Sequence, residues 1–267
     1  MVKADPTAVK DSLLHELFLA KTPQDSIPLL YHLYDLAGRT DKRNYNNLLF
    51  NAAKHSNNYK VQLDIIRNTC NIYTSSDSAM AICQTDAELL PESDDQKETI
   101  TFIKVNRISR NARASSEADR QKMLQKLIGE YKQTSNADIY ENVLRLYTLC
   151  IYLGSSTQGE LYTEYLGKLE KLIKQLPPEG RHALPNLFYT QSAIIYTQNE
   201  EYAKAIAADK ELLKIIEQLT KDYKAQGRIF RNFDTNYYNC YRRILSNYPA
   251  LSRDEVESYY QKNIGVM

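Results

Sequence analysis

Residues 166–176 read LGKLEKLIKQL. Leu166, Leu169, Leu172, Ile173 and Leu176 recur at steps of three and four, which places them along one face of an α-helix and is incompatible with the strict alternation of a half-buried strand. The same spacing returns along the chain. It joins Leu13, Leu14, Leu17 and Phe18, and then Leu29, Leu30, Leu33, Tyr34 and Ala37. It joins Ile65, Ile66, Thr69, Cys70 and Tyr73, then Ile100, Ile103 and Val105. Leu124, Leu127, Ile128 and Tyr131 follow, and Val143, Leu146, Tyr147 and Cys150 after them. Each set predicts a helix that buries one face.

The punctuation between these stripes is that of helices. Asp5-Pro6 and Thr22-Pro23-Gln24-Asp25 read as caps followed by a first-turn proline. Ser93 with Gln96, Thr157 with Glu160 and Ser252 with Glu255 fit the capping box, and Asp77 and Ser116 read as further caps. Gly38, Pro91, Pro177-Pro178 and Pro249 read as stops. There are 8 glycines and 8 prolines, and none of the glycines falls between Gly38 and Gly129. Sandwiches, barrels and doubly wound sheets need turn residues far more often. The reading is all-α: about thirteen helices of roughly 12–24 residues, joined by loops of roughly two to six, so that neighbours run antiparallel.

Composition bounds the rest. The 267 residues are 43% hydrophobic and 25% charged, enough for a substantial core without disulfides or metals. With 34 basic against 33 acidic residues the formal net charge is +1, which removes the strongest argument for nucleic acid or an anionic membrane as partner. No run of about 18 apolar residues occurs, so no membrane contact is expected of this segment. Cys70, Cys83, Cys150 and Cys240 form neither a C-x-x-C pair nor a cluster with histidine, and read as buried free thiols.

A repeat underlies the helices. Shifting Leu30, Leu33, Ala37, Phe50 and Ala53 by 33 residues gives Leu63, Ile66, Cys70, Cys83 and Asp86, apolar or nearly so except the last. Pro91 closes that second unit, and a third starts near Asn186. Segments 93–133, 138–176 and 230–264 read as longer helix pairs of the same kind. The run Tyr189-x3-Ala193-x2-Tyr196-x5-Tyr202-x2-Ala205 resembles the tetratricopeptide consensus, and Leu63, Ile66, Cys70, Ala79 and Pro91 resemble it a second time. Arg67 departs from it, standing where that family has a small residue. The resemblance implies a right-handed superhelix of antiparallel helix hairpins, an α-solenoid. It extends over residues 1–267 as one domain, with sub-blocks at 1–133 and 134–267. More broadly, the stretch from Ala20-Lys21-Thr22-Pro23-Gln24-Asp25-Ser26 through Gln62-Leu63-Asp64-Ile65-Ile66 resembles the N-terminal sensor segment of bacterial membrane-anchored regulators. In those proteins an exported array precedes a membrane helix and a histidine kinase or helix-turn-helix output. That resemblance implies an attached signalling domain and a periplasmic location. The start Met1-Val2-Lys3-Ala4-Asp5 has no apolar signal region, and a free cytoplasmic protein is the alternative.

No catalytic chemistry emerges. His15, His32, His55 and His182 have no partner at metal-ligand spacing, and no phosphate-binding or nucleophile motif occurs. Glu16, Asp64, Glu88 and Glu98 read as solvated acids. No cofactor is expected and the chain is not read as an enzyme. Arg107, Arg110, Arg113, Arg120 and Lys122 are the one basic concentration, and Glu117 and Asp119 balance it.

Function then falls to the face that each first helix leaves open. Asp64, Asn68 and Asn71 form one polar stripe offset from Ile66 and Cys70, and Thr190, Ile194 and Gln198 form the matching one. Amides and carboxylates in such a groove suit the backbone of an extended peptide. Tyrosine is abundant, at 21 residues with no tryptophan, and Tyr237, Tyr238 and Tyr241 lie in the densest set, with Phe230, Phe233, Tyr248, Tyr259 and Tyr260. They read as packing between hairpins or a C-terminal aromatic surface. The expectation is a noncatalytic module for a protein or peptide partner. A nucleic-acid-binding helical repeat is one alternative, and a small-molecule-binding domain that uses these tyrosines is another.

Overall fold

The computed structural model describes residues 6–72, 76–133, 138–154, 159–177, 183–225 and 232–265. Asp5, Tyr73, Thr157, Pro178, His182 and Phe230 lie outside them. Among the described residues the protein is all-α, with no strand. Thirteen helices follow in order: α1 (Pro6–Leu19), α2 (Pro23–Leu36), α3 (Arg39–His55), α4 (Tyr59–Ile72), α5 (Asp77–Glu88), α6 (Asp94–Ala114), α7 (Glu117–Gln133), α8 (Ile139–Leu153), α9 (Gly159–Gln175), α10 (Ala183–Gln198), α11 (Tyr202–Ala225), α12 (Asn232–Ser246) and α13 (Arg253–Gly265). A short 3-10 turn, Tyr248–Ala250, holds Pro249 between α12 and α13.

The helix starts follow local chemistry. The Thr22 hydroxyl accepts the Asp25 N–H at 3.1 Å, with Pro23 in the first turn where no N–H is needed. Ser116 accepts the Asp119 N–H at 3.2 Å. Ser252 and Glu255 close the full reciprocal box, at 3.3 Å and 3.0 Å. Two sequence readings need correction. The cap of α5 is Ser76, whose hydroxyl takes the Ala79 N–H, while Asp77 is already helical and pairs with Arg107. At Ser93 only half the box forms. The hydroxyl takes the Gln96 N–H, but the Gln96 amide turns inward instead, to the Ala87 and Leu90 carbonyls. The Ala87 carbonyl already accepts the Leu90 N–H at 3.2 Å, and the Gln96 amide fills its second lone pair while also reaching the Leu90 carbonyl just past the helix end.

The chain forms two compact units. One comprises Met1–Ile65 and Tyr189–Met267, the other Ile66–Phe188, and α4 and α10 each contribute to both. Position 133 lies within the second. In the first, α2 packs on α1 and α3, and α12 packs on α11 and α13. Its N-terminal core joins Ile27, Leu30, Tyr31, Tyr34, Leu49, Ala52, Ala53 and Ile65. The predicted stripe of α1 is only partly covered: Leu13 is buried, but Leu14 is 40% and Phe18 85% exposed. As the first helix, α1 packs chiefly on α2, and it reaches α3 through the Lys10–Asp41 pair at 3.5 Å, with Leu17 at the edge of the core. The last helix behaves likewise, for α13 has no buried residue.

In the second unit α5 packs on α6, and α8 packs on α7, α9 and α6. A helix that touches both its neighbours and the helix two before it is built into a stack of hairpins, the packing an α-solenoid uses. The opening stripe is buried as expected: Leu166, Leu169, Ile173 and Leu176 are within 3% of complete burial. Each contributes about 2 kcal/mol relative to exposure. Tyr147 is buried with them and donates its hydroxyl to the Leu184 carbonyl at 2.9 Å, so its polar tip is satisfied.

Candidate functional site

The junctions between hairpins repeat a single device. Gln62, in the first turn of α4, donates its side-chain amide to the carbonyl of Ala53 near the end of α3, at 3.3 Å. Gln96, in the first turn of α6, does the same to Ala87 near the end of α5, at 3.1 Å. Both alanines are fully buried, and both donor and acceptor recur 34 residues on. The sequence shift of 33 brings Ala53 onto Asp86, one residue short of its buried counterpart. Leu63, Ile66 and Cys70, which that shift aligns with the first-helix stripe, are all buried.

The polar stripes lie where the helices carry them. On α4, Asp64 and Asn68 are half-buried and Asn71 is exposed. Asp64 accepts the Tyr31 hydroxyl at 2.7 Å, which ties the start of that stripe to α2. On α10, Thr190 is half-buried while Ile194 and Gln198 are exposed. Each triplet thus shares one face of its own helix.

The tyrosine set is brought together in part. Tyr237 and Tyr241 stack on α12 with ring centroids 6.2 Å apart, and Tyr259 of α13 meets Tyr241 at the same separation. Tyr237 also reaches the Thr220 hydroxyl of α11, at 3.4 Å. Tyr238 is half-buried and no ring contact links it to that set. Burial, first, and the neighbouring Tyr237 hydroxyl push the Tyr241 phenol up from its ordinary range. These rings act chiefly as the seam of α11, α12 and α13.

Three charged side chains are drawn into the fold, Glu98 among them against its reading as a solvated acid. Glu98 is completely buried on α6. Its Oε1 accepts the N–H groups of Ala183 and Leu184, in the first turn of α10, at 3.0 and 3.1 Å. Arg67, the residue that breaks the repeat consensus, lies beside it. Its Nη1 donates to Asp95 at 2.5 Å and to the Thr99 hydroxyl at 2.9 Å, and stands 4.0 Å from Glu98 Oε2. The guanidinium therefore stands on an acidic patch of α6. The third is Asp209, completely buried on α11 and held by Arg243 of α12 at 2.9 Å. Burial raises its carboxyl while the guanidinium draws it back. The signal was present in sequence: Glu98 shares a stripe with Phe102 and Val105, and Asp209 with Ala205, Leu212 and Ile216, all buried. An acid on an apolar stripe is a buried acid in search of a partner.

The arginine cluster is partly neutralised within the fold. Arg107 clamps Asp77 through two bonds of 3.1 and 3.2 Å and reaches Gln84 at 2.8 Å, and Arg120 pairs with Glu117. The four cysteines are buried and free. Burial pushes their thiols up to about 11 for Cys83 and about 12 for Cys70, Cys150 and Cys240, so the nucleophilic thiolate is scarcely populated at neutral pH. Among the described residues no group of three His, Cys, Asp or Glu side chains is placed to hold a metal ion, and no helix is long and apolar enough to cross a membrane. No protein-family model matches the chain, and no curated protein or solved structure matches it.

Proposed function

We propose that the chain is a tetratricopeptide-like module that binds a protein or peptide through polar stripes on its first helices, and that it serves as the sensor region of a signalling or transcription-regulating protein. The observation that carries this reading is the repeated junction, Gln62 on Ala53 and Gln96 on Ala87. The same bond recurs 34 residues on, once in each unit, as expected of a helical repeat, and the stripe of Asp64, Asn68 and Asn71 offers amide and carboxylate chemistry suited to an extended backbone. The pairing of Arg107 with Asp77 works against a phosphate-binding stripe. The mutual stacking of Tyr237, Tyr241 and Tyr259 works against an open small-molecule platform.

The test is selection from a displayed library of random peptides, followed by binding of the enriched peptide to the wild type and to the Asn68→Ala, Asn71→Ala, Gln198→Ala triple variant. The variant should bind at least about tenfold more weakly, the loss of one or two net hydrogen bonds, with an unchanged melting temperature. Equal binding by the variant, or no enrichment on the wild type, contradicts the assignment. The sensor role is read separately from the full gene, as a signal sequence upstream and a membrane helix with an output domain downstream.

A further inference from the structure

Of the buried acids, Asp209 is matched by a forked arginine, whereas Glu98 is matched chiefly by backbone. Its Oε1 holds two N–H groups at the start of α10, a helix end that favours negative charge. The nearest cation, Arg67 on α4, gives its short bond to Asp95 and stands 4.0 Å from Glu98. Other charged and polar groups stand close by in the same unit. Asp94, Asp95 and Thr99 belong to α6 itself. The buried Tyr140 of α8 faces both Asp94 and Glu98, with Asp138 just before it, and α10 contributes its backbone. One carboxylate therefore joins three helices, and one guanidinium stands between two carboxylates.

We propose that Glu98 is a proton-operated clamp on the first turn of α10. Protonated, it leaves Arg67 on Asp95. When its proton passes to solvent, the ionised carboxylate draws Arg67 from Asp95 and tightens on the Ala183 and Leu184 N–H groups. The position of Arg67 on α4 and the order of the α10 first turn then change together. Burial pushes the Glu98 carboxyl up to about 7, with Arg67 and the Leu184 N–H pulling it partly back, which puts the change near neutral pH. Because the folded value lies above that of a free glutamate, about 4.3, the stabilisation is complete below that value. It is lost as pH rises through about 7. This goes beyond the partner-binding reading and does not depend on it.

The experiment uses the full chain with carbon-13-labelled glutamate, its carboxyl resonances followed from pH 4 to 9. Hydrogen exchange of the α10 first turn is measured over the same range. The expected result is one carboxyl with a midpoint near 7 that is absent from Glu98→Gln, and α10 protection, taken relative to the intrinsic base-catalysed exchange rate, that varies with pH in the wild type and is flat in that variant. Removing the guanidinium in Arg67→Met raises the midpoint by on the order of one unit, which decides the matter even if Glu98→Gln does not fold. The histidine preceding Ala183 in sequence is controlled by His182→Asn. The proposal is overturned if Glu98 titrates in the ordinary glutamate range, if Arg67→Met leaves its midpoint unmoved, or if the α10 response survives Glu98→Gln and vanishes only in His182→Asn.

Discussion

Two helix junctions, one in each compact unit, begin alike and end differently. At α3–α4 the Ala53 carbonyl takes the Gln62 amide, and at α5–α6 the Ala87 carbonyl takes that of Gln96. Two residues further on, each helix carries an acid. Asp64 stays half-exposed and accepts a tyrosine hydroxyl, whereas Glu98 is fully buried, holds the start of α10 and lies beside Arg67. The common part is an added bond: each alanine carbonyl already accepts a backbone N–H, from Asn58 and from Leu90, and the glutamine amide takes the remaining lone pair. The part that differs is the next turn, where the identity of the packing helix decides whether a carboxylate remains on a wet stripe or becomes an internal support.

The comparison is sharpened most by removing the two acids. Glu98→Ala leaves two buried N–H groups without their acceptor and opens a cavity, and should cost about 2–4 kcal/mol in chemical denaturation. Asp64→Ala removes a half-exposed acceptor of the Tyr31 hydroxyl and should cost about 1 kcal/mol or less. Equal losses would erase the distinction between a buried and a wet acid. Next come the alanines at the crossings. Ala53→Leu and Ala87→Leu each insert a side chain where none fits, and both should lose about 1–3 kcal/mol. If one is tolerated and the other is not, the two crossings are not equivalent. The smallest effect separates the glutamines themselves. Gln96 satisfies two carbonyls and Gln62 one, so Gln96→Ala should cost about 2 kcal/mol and Gln62→Ala about 1 kcal/mol. The reverse order would place the stronger closure at α3–α4.

Most of this architecture is legible in the residue order because helices declare themselves locally. The three-and-four spacing of Leu166 to Leu176 needs no tertiary knowledge, nor do the caps at Thr22, Ser116 and Ser252, whose hydroxyls act within one turn. Legibility fails where a side chain chooses between a local and a distant partner. Gln96 looks like half of a capping box and instead serves the preceding helix. Asp77 looks like a cap and instead meets an arginine of α6. Glu98 looks like a surface acid because its partners are backbone groups 85 and 86 residues away. Nor does the position of Arg67 announce Asp95 and Thr99, its partners 28 and 32 residues on. The polar stripes are legible as positions on α4 and α10, but their partner is not, because a groove of amides fits many extended chains.

The claim beneath the binding reading is that the two junctions are copies of one unit. It is tested most directly by hydrogen exchange of glutamine side-chain amides, with the two resonances assigned through Gln62→Ala and Gln96→Ala. Both NH2 groups should be protected well beyond those of solvent-facing glutamines such as Gln198. Free exchange at either position would contradict the account, since that junction would then lack the bond that sets its register.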